Sequence, residues 1–350
     1  MLALQSDVAL AIAREIQVKI TPQEQARFAD PRPVNPQAHE AYLLGRYQWN
    51  RSSREDKERG VALFKRAIEI DPGYAPAYAG LADAYWSVSN WWMPPDKAMP
   101  LARAGAQQAL KLDSNLADAH ALMGIVAGQY DFDGRAAEPE FRRAIELNSN
   151  SSLARFYYGY WLNEMGRFDE AQVQLSKARE LDPLASYIRW LSTWPLFYQG
   201  RYDQLVPELQ SLIAVDPQFA DSYVLLGEVY EQKRDYPGAL AELRKAVNLG
   251  THPWALAAIG RVHAESGARD SAFAVIRRLE DLAKEQYVTP YGIASIYAGL
   301  GNHDRAFELL ERAYRERSED LLLLKVDPRV AGLRSDPRFD RLLRRLGLPT

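Results

Sequence analysis

Apolar residues recur along most of this 350-residue chain at i, i+3, i+4 and i+7, the pattern of helices that each bury one stripe. The stripes come in pairs, and the pairs repeat. A small residue in the first helix of a pair is followed twelve residues later by a fixed position in the second: Gly159 by Ala171, Thr193 by Leu205, Gly227 by Ala239, Gly260 by Ala272, Ala294 by Ala306. The second positions fall at 171, 205, 239, 272 and 306, so their spacings are 34, 34, 33 and 34. Helix-ending phrases keep the same ruler. "AIEIDP" closes at Pro72, "ARELDP" at Pro183 and "LIAVDP" at Pro217, with "ALKLDS" and "AIELNS" as variants. Proline stops a helix there because it lacks the N–H and pushes the residue before it out of the α region.

Eight units can be placed, with small-residue slots at Gly45, Ala82, Gly124, Gly159, Thr193, Gly227, Gly260 and Ala294. One helix pair cannot bury its own apolar face, whereas stacked pairs bury a continuous core. Two units are longer than the ruler. Three extra residues fall within "WNRSSREDKERG" and eight around "SNWWMPPDKAMP", both expected in the turn between the two helices.

The 34-residue period, with Tyr158-Gly159, Ala171, Leu175, Ala178 and Pro183 in the fourth unit and "LLGEVYEQKRDYPGALAELRKAVNL" in the sixth, resembles the tetratricopeptide repeat. The resemblance covers residues 37–318 and implies an all-α, right-handed superhelical solenoid of about eight helix-turn-helix units. Beyond it, residues 319–350 hold a turn and a short helix from about Asp336 to Leu346, read as a C-terminal cap. Ahead of it, residues 3–18 read as an amphipathic helix with Val8, Ala11, Ile12 and Ile16 on one side, within an N-terminal segment 1–28; a Pro-rich linker follows at 29–36.

The N-terminal helix, the linker, "YLLGRYQWNR", "YDFDGRAAEPEFRRAIELN" and "LRSDPRFDRLLRRLGL" are similar to a bacterial family of multidomain signalling proteins. In that family a TolB-like domain precedes the repeats, behind a winged-helix regulator, a serine/threonine kinase or an adenylate cyclase. The resemblance makes residues 3–18 a remnant of the TolB-like domain. It leaves open whether the chain is a fragment or a stand-alone repeat protein.

Composition narrows the chemistry. Charged residues make up 25% of the chain, hydrophobic ones 47%, and the net charge is −3. That balance is globular and gives no basic excess for phosphate contacts, so no nucleic-acid partner is expected. There is no cysteine, which excludes disulfides, thiolate catalysis and cysteine-bound zinc. No run of about 18 apolar residues spans a bilayer, and no signal-peptide pattern is visible. The chain as given is expected in the cytoplasm; the transmembrane members of the resembled family make the extracytoplasmic face of a membrane-anchored parent the alternative.

Catalytic motifs are missing. The five histidines form no metal-binding pair, and His39, His120, His252 and His303 are expected at solvated helix starts or turns, His263 in a helix packing position. Asp131, Asp133, Glu138 and Glu140 sit in a turn and a helix start, where water keeps both members of any pair in the same state, so no acid/base pair is set up. No P-loop, nucleophile elbow or dinucleotide fingerprint occurs, and no metal or cofactor is expected.

In the resembled family the first helix of each unit lines the concave face. Carried over slot by slot, this puts Phe156, Tyr160, Tyr187, Trp190, Trp194 and Tyr198 at the middle of a groove, flanked by a polar stretch with Glu228, Glu231 and Arg261. Exposed Tyr and Trp of this kind serve as binding hot spots; the same side chains also fill space beside small neighbours, and both roles stay open for them. The resulting expectation is a non-catalytic module that binds a protein or peptide in its groove. Two readings compete: an RNA-binding helical repeat, which needs a basic groove, and an enzyme on the same scaffold, which needs a pocket of titratable groups with shifted pKa values.

Overall fold

The computed structural model of the chain describes residues 34–49, 54–89, 92–250 and 253–348. The helix expected at residues 3–18 and most of the linker at 29–36 lie outside them, as do Trp91 and His252. Eight antiparallel helix pairs follow one another: α1 (Pro36–Trp49) and α2 (Arg54–Ile70), α3 (Ala75–Val88) and α4 (Pro95–Leu112), α5 (Ala117–Ile125) and α6 (Gly134–Leu147), α7 (Ser152–Glu164) and α8 (Phe168–Leu181). The fifth unit has a split first helix, α9 (Ser186–Leu191) and α10 (Trp194–Tyr198), before α11 (Tyr202–Val215). Then come α12 (Ala220–Gln232) and α13 (Tyr236–Leu249), α14 (Pro253–Glu265) and α15 (Arg269–Leu282), α16 (Pro290–Gly299) and α17 (His303–Arg315). The chain is the all-α solenoid that its repeat implies.

The small-residue slot works through one recurring contact. At Gly124, Gly159 and Gly227 the residue four positions after the second slot lies directly over the first. A methyl group on Gly159 would stand 2.6 Å from Leu175 Cγ, one on Gly227 2.6 Å from Leu243 Cγ, and one on Gly124 2.8 Å from the Phe141 ring. Ala171, Leu175, Ala239 and Leu243 have no exposed surface.

The extra residues are housed differently from expectation. They mainly lengthen helices instead of turns: α2 has 17 residues and α4 has 18, against 14 in α6, α8 and α13. A turn would expose additional backbone, whereas a longer helix satisfies it internally. In the third unit the slots Gly124 and Ala137 are thirteen apart, one more than the ruler. The surplus residue is absorbed as a π-helical stretch, Val126–Tyr130, which continues α5. In the fifth unit Pro195 removes an N–H from the first helix. Just before it the Ser192 and Thr193 hydroxyls donate to the carbonyls of Ile188 (2.7 Å) and Trp190 (2.6 Å), and the helix breaks there. His120 is tied down, not solvated: its Nδ1 lies 2.6 Å from the Glu140 carboxylate and its Nε2 3.0 Å from the Ser114 carbonyl.

After α17 the chain forms two 3-10 turns, Glu319–Leu323 and Pro328–Leu333, and then α18 (Pro337–Arg345). Helix α18 lies against α17 through Arg338–Asp304 (2.8 Å) and Arg345–Glu311 (2.6 Å). The 3-10 segment does more than turn. It crosses the concave side of the solenoid, where Val326 comes against Gly166 and Arg329 reaches Glu228. The third unit also touches the last, with the Phe132 and Tyr314 rings stacked at 5.9 Å and Arg317 over Phe132.

Because the Ala171 contact has no slack, Ala171→Leu is expected to destabilise the protein by about 1–3 kcal/mol through overpacking. Urea unfolding followed by helical circular dichroism checks this; an unchanged midpoint would remove the close-contact account of the slot.

Candidate functional site

All the aromatic residues read from the sequence as groove-lining are brought together. Neighbouring rings touch in a chain that runs from the second unit to the fifth. Trp86 meets Tyr160 at 6.0 Å, Phe156 meets Tyr187 at 5.1 Å, Tyr187 meets Trp190 at 5.4 Å, and Trp190 meets Trp194 at 4.9 Å. Tyr160 and Tyr198 close on Trp194 at 5.5 and 5.8 Å. Most of these contacts are edge-to-face or tilted, the arrangement the ring quadrupole favours. Their exposure differs. Phe156, Tyr160 and Trp190 are buried, while Tyr187, Trp194 and Tyr198 are half-buried.

Glu228, Glu231 and Arg261 form no open polar stretch. They are 2%, 1% and 2% exposed. Arg261 holds Glu231 with two bonds of 2.7 Å and Glu228 with one of 2.9 Å. The 3-10 segment completes the array: Arg329 donates to Glu228 at 3.0 Å and to Asp327 at 2.8 Å, and its guanidinium lies 4.5 Å from the Trp254 ring. Tyr291 donates to Asp327 at 2.5 Å. Burial alone would raise the Asp327 carboxyl, but Arg329 and Tyr291 hold it below the usual carboxylate range. The covering segment closes on Glu228 through Arg329: the sequence placed it at the end of the solenoid, and the fold places it in the groove.

A recess remains beside that segment. Tyr160, Tyr187, Trp190, Trp194, Tyr198 and Trp254 form its aromatic walls, and Glu319 and Asp320 stand at one side. Its interior volume is about 60 Å³, enough for roughly four to six waters at ~10–15 Å³ each. Glu319 faces the Tyr160 hydroxyl at 3.5 Å. One helical turn beyond Tyr160, the buried Glu164 accepts from Gln129 at 2.9 Å, while its other carboxylate oxygen has no hydrogen-bond partner. Gln129 belongs to the π-helical stretch and itself accepts from Trp86 Nε1 at 2.7 Å. Burial, and then the neighbouring carboxylates, push both Glu164 and Glu319 above the ordinary range.

Sequence reasoning missed Trp254, Glu319, Asp320, Asp327 and Arg329. A signal was present. Leu321 to Leu324 are four consecutive leucines in a segment read as a turn, and such a run demands cover on every side. All four are buried. Among the described residues there is no group of acidic and histidine side chains placed to hold a metal ion, and no helix is long and apolar enough to cross a membrane.

Two outcomes follow. Arg329→Ala leaves Glu228 and Asp327 without a shared counter-charge in a dry setting, and is expected to destabilise the fold by roughly 3–5 kcal/mol in urea unfolding. The raised carboxyls act in the opposite sense. Their folded pKa values exceed the unfolded ones, so the folded state holds more protons, and this contribution to stability is lost as pH rises. The wild-type melting temperature is therefore expected to fall between about pH 5 and 9, and Glu164→Gln/Glu319→Gln to flatten that decline. A decline of equal slope in the double variant would remove these groups from the account.

Residues 196–253 and 291–320 match models of the tetratricopeptide repeat. Over 166 residues, 47% of this chain and 30% of the relative, the sequence is 24% identical to the transcriptional regulator HilA of Salmonella typhimurium. Over 200 residues, 57% of the chain and 28% of the relative, it is 24% identical to anaphase-promoting complex subunit 3 of Schizosaccharomyces pombe. A shorter stretch of 79 residues, 23% of the chain and 31% of the relative, is 32% identical to the type IV pilus assembly protein PilF of Pseudomonas aeruginosa. The chain thus spans about 30% of the length of these curated relatives. Among solved structures, the human IFIT1 dimer with m7Gppp-AAAA is alike in fold, with a TM-score of 0.59 at 16% identity over 79% of this chain and 72% of that one. Helix pairing, period and these matches agree that the chain is a solenoid of tetratricopeptide repeats.

Proposed function

We propose that the chain is a non-catalytic interaction module that holds a segment of a partner protein at the aromatic recess of its concave face, as the recognition part of a bacterial signalling protein. The observation that carries this is the polypeptide already seated there. Residues 319–333 cross the groove and are held by side chains of several units, with Arg329 between Glu228 and Trp254. The face therefore has the width and chemistry to accept a peptide chain, and the recess beside that segment offers aromatic walls of the kind that supply hot spots. The regulatory setting rests on the resemblance to multidomain signalling proteins and on the likeness to HilA, a transcriptional regulator.

The two competing readings meet obstacles in the same geometry. The IFIT1 dimer is seen with m7Gppp-AAAA, but this recess is lined by Asp221, Glu228, Glu319 and Asp320 with one arginine. Phosphates would meet like charge there. The enzyme reading gains one observation, the raised Glu164 and Glu319 carboxyls. Acid/base work needs two groups pushed apart, whereas these are pushed the same way, and the unpartnered oxygen of Glu164 is sealed from solvent.

Peptides selected by display against the full chain test the proposal. Their binding is expected to weaken at least about tenfold in Tyr187→Ala, which thins the recess wall. It is expected to be unchanged in Val173→Ser, on an exposed surface of α8. Equal binding to Tyr187→Ala would place the working surface elsewhere.

A further inference from the structure

The two ends of the stack are finished differently. A solenoid ends on a repeat with a polar outer face, because the apolar stacking face would otherwise stay in water. At the C-terminal end α18 lies on α17 through Arg338–Asp304 and Arg345–Glu311, each pair 34 residues apart, so it takes the place of a next second helix. Its outer side is charged, with Arg341, Arg344 and Arg345 exposed. At the N-terminal end the outer side of α1 is apolar: Leu43, Leu44 and Tyr47 are 52%, 47% and 60% exposed. Among the described residues no other helix carries more than one exposed large apolar side chain.

The later units show what such a face receives. Leu43 and Tyr47 stand two residues before and two after the slot at Gly45. The same two positions are buried in every later unit. Their cover includes the second helix of the unit before. In the second unit, a methyl group on Gly80 would stand 2.9 Å from the Phe64 ring of α2, and Ala84 packs in one cluster with Phe64. In the seventh, Ala258 and Val262 share a cluster with Ala239, Leu243 and Ala246 of α13. The side of α1 that carries Leu43 is thus the side that takes a second helix, and no described helix precedes α1.

We propose that this face of α1 is the docking site of residues 3–18 of the same chain, which pack Val8, Ala11, Ile12 and Ile16 on Leu43 and Leu44 as the second helix of an incomplete preceding unit. Those residues lie outside the described part of the chain, and their sequence supplies what the face lacks. Val8, Ile12 and Ile16 keep the four-residue spacing of Ala239 and Leu243 in α13, the row that one helix sets into the groove of another. Residues 19–35 are the tether. Fully extended, these 17 residues reach about 55–60 Å. The 14 residues of α1 are roughly 21 Å long, so the stripe can be laid along α1 with chain to spare. A short tether holds its segment at an effective concentration on the order of mM. A second chain in dilute solution competes poorly with that, which favours docking within one chain. This docking is independent of what the recess binds.

The chain has no cysteine, so an introduced thiol reports alone. In the full chain, Leu43→Cys is expected to react with a maleimide at least about tenfold more slowly than Leu43→Cys combined with Ile12→Asp, because the docked segment must open before the thiol is reached. Val173→Cys, on the exposed surface of α8, is expected to react at one rate with or without Ile12→Asp, which shows that the charge leaves the solenoid folded. Ile12→Cys/Leu43→Cys, treated with a short bis-maleimide in dilute solution, is expected to link within a single chain. Equal Leu43→Cys rates in the two backgrounds, or no link in the double variant, overturns the inference. Links formed only between chains overturn it as well, and give the face to a second copy.

Discussion

The contact between Arg329 and Glu228 organises this molecule. The two residues are 101 positions apart, and their 3.0 Å bond carries the C-terminal segment into the concave face. An open tetratricopeptide solenoid is held by nearest-neighbour packing alone. Here a second set of contacts joins distant units, and each of them requires the segment to be in place: Tyr291 on Asp327, Tyr160 near Glu319, Val326 on Gly166. The bond is buried, so it stands or falls with its geometry. A desolvated ion pair gives little net stability, but breaking it strands the survivor. That asymmetry makes it a device for fixing position, and what it positions is one wall of the recess.

How much of this was legible in the sequence depends on the range of each contact. The slot at Gly159 and its cover from Leu175 are sixteen residues apart in one unit, and they recur in unit after unit, so local period and local packing report the same thing. Helix pairing could be read off for that reason. Extra residues were legible as a count but not as a place, because lengthening α2 and α4 or lengthening a turn consumes the same number of residues. The π-helical stretch was hidden by the same ambiguity, since one surplus residue leaves no change of pattern. The covering segment had no period at all. Arg329 sits in "VDPRVAG", which reads like the phrase that ends a helix, and nothing local to it points at Glu228.

The groove residues illustrate the same limit from the other side. Slot arithmetic brought Tyr160, Tyr187, Trp190 and Trp194 correctly to one surface, because the solenoid repeats its helix orientation. Which of them stay accessible was decided by a segment more than 120 residues later in the chain. Glu228, Glu231 and Arg261 looked like a polar rim. A rim of that composition and an internal ion array have the same sequence, and only the partner brought by the fold separates them.

The carboxylates beside the recess break the rule that local and global preferences should agree. Three buried carboxylates of the concave face were given a counter-ion: Glu231 and Glu228 by Arg261, Asp327 by Arg329. Glu164 and Glu319 were given Gln129 and Tyr160, which are neutral. A fold selected only for stability would gain from an apolar residue at either position. Residues that lower stability without a structural return tend to mark a place where function is served. The π-helical stretch points the same way, because it carries Gln129 to Glu164 at the one unit whose helix is distorted to do so. Two departures from the regular repeat, the surplus residue in α5 and the self-covering segment, thus converge on the same pair of unpaired acids. Glu319 stands among the aromatic walls of the recess, and Glu164 lies one helical turn beyond Tyr160.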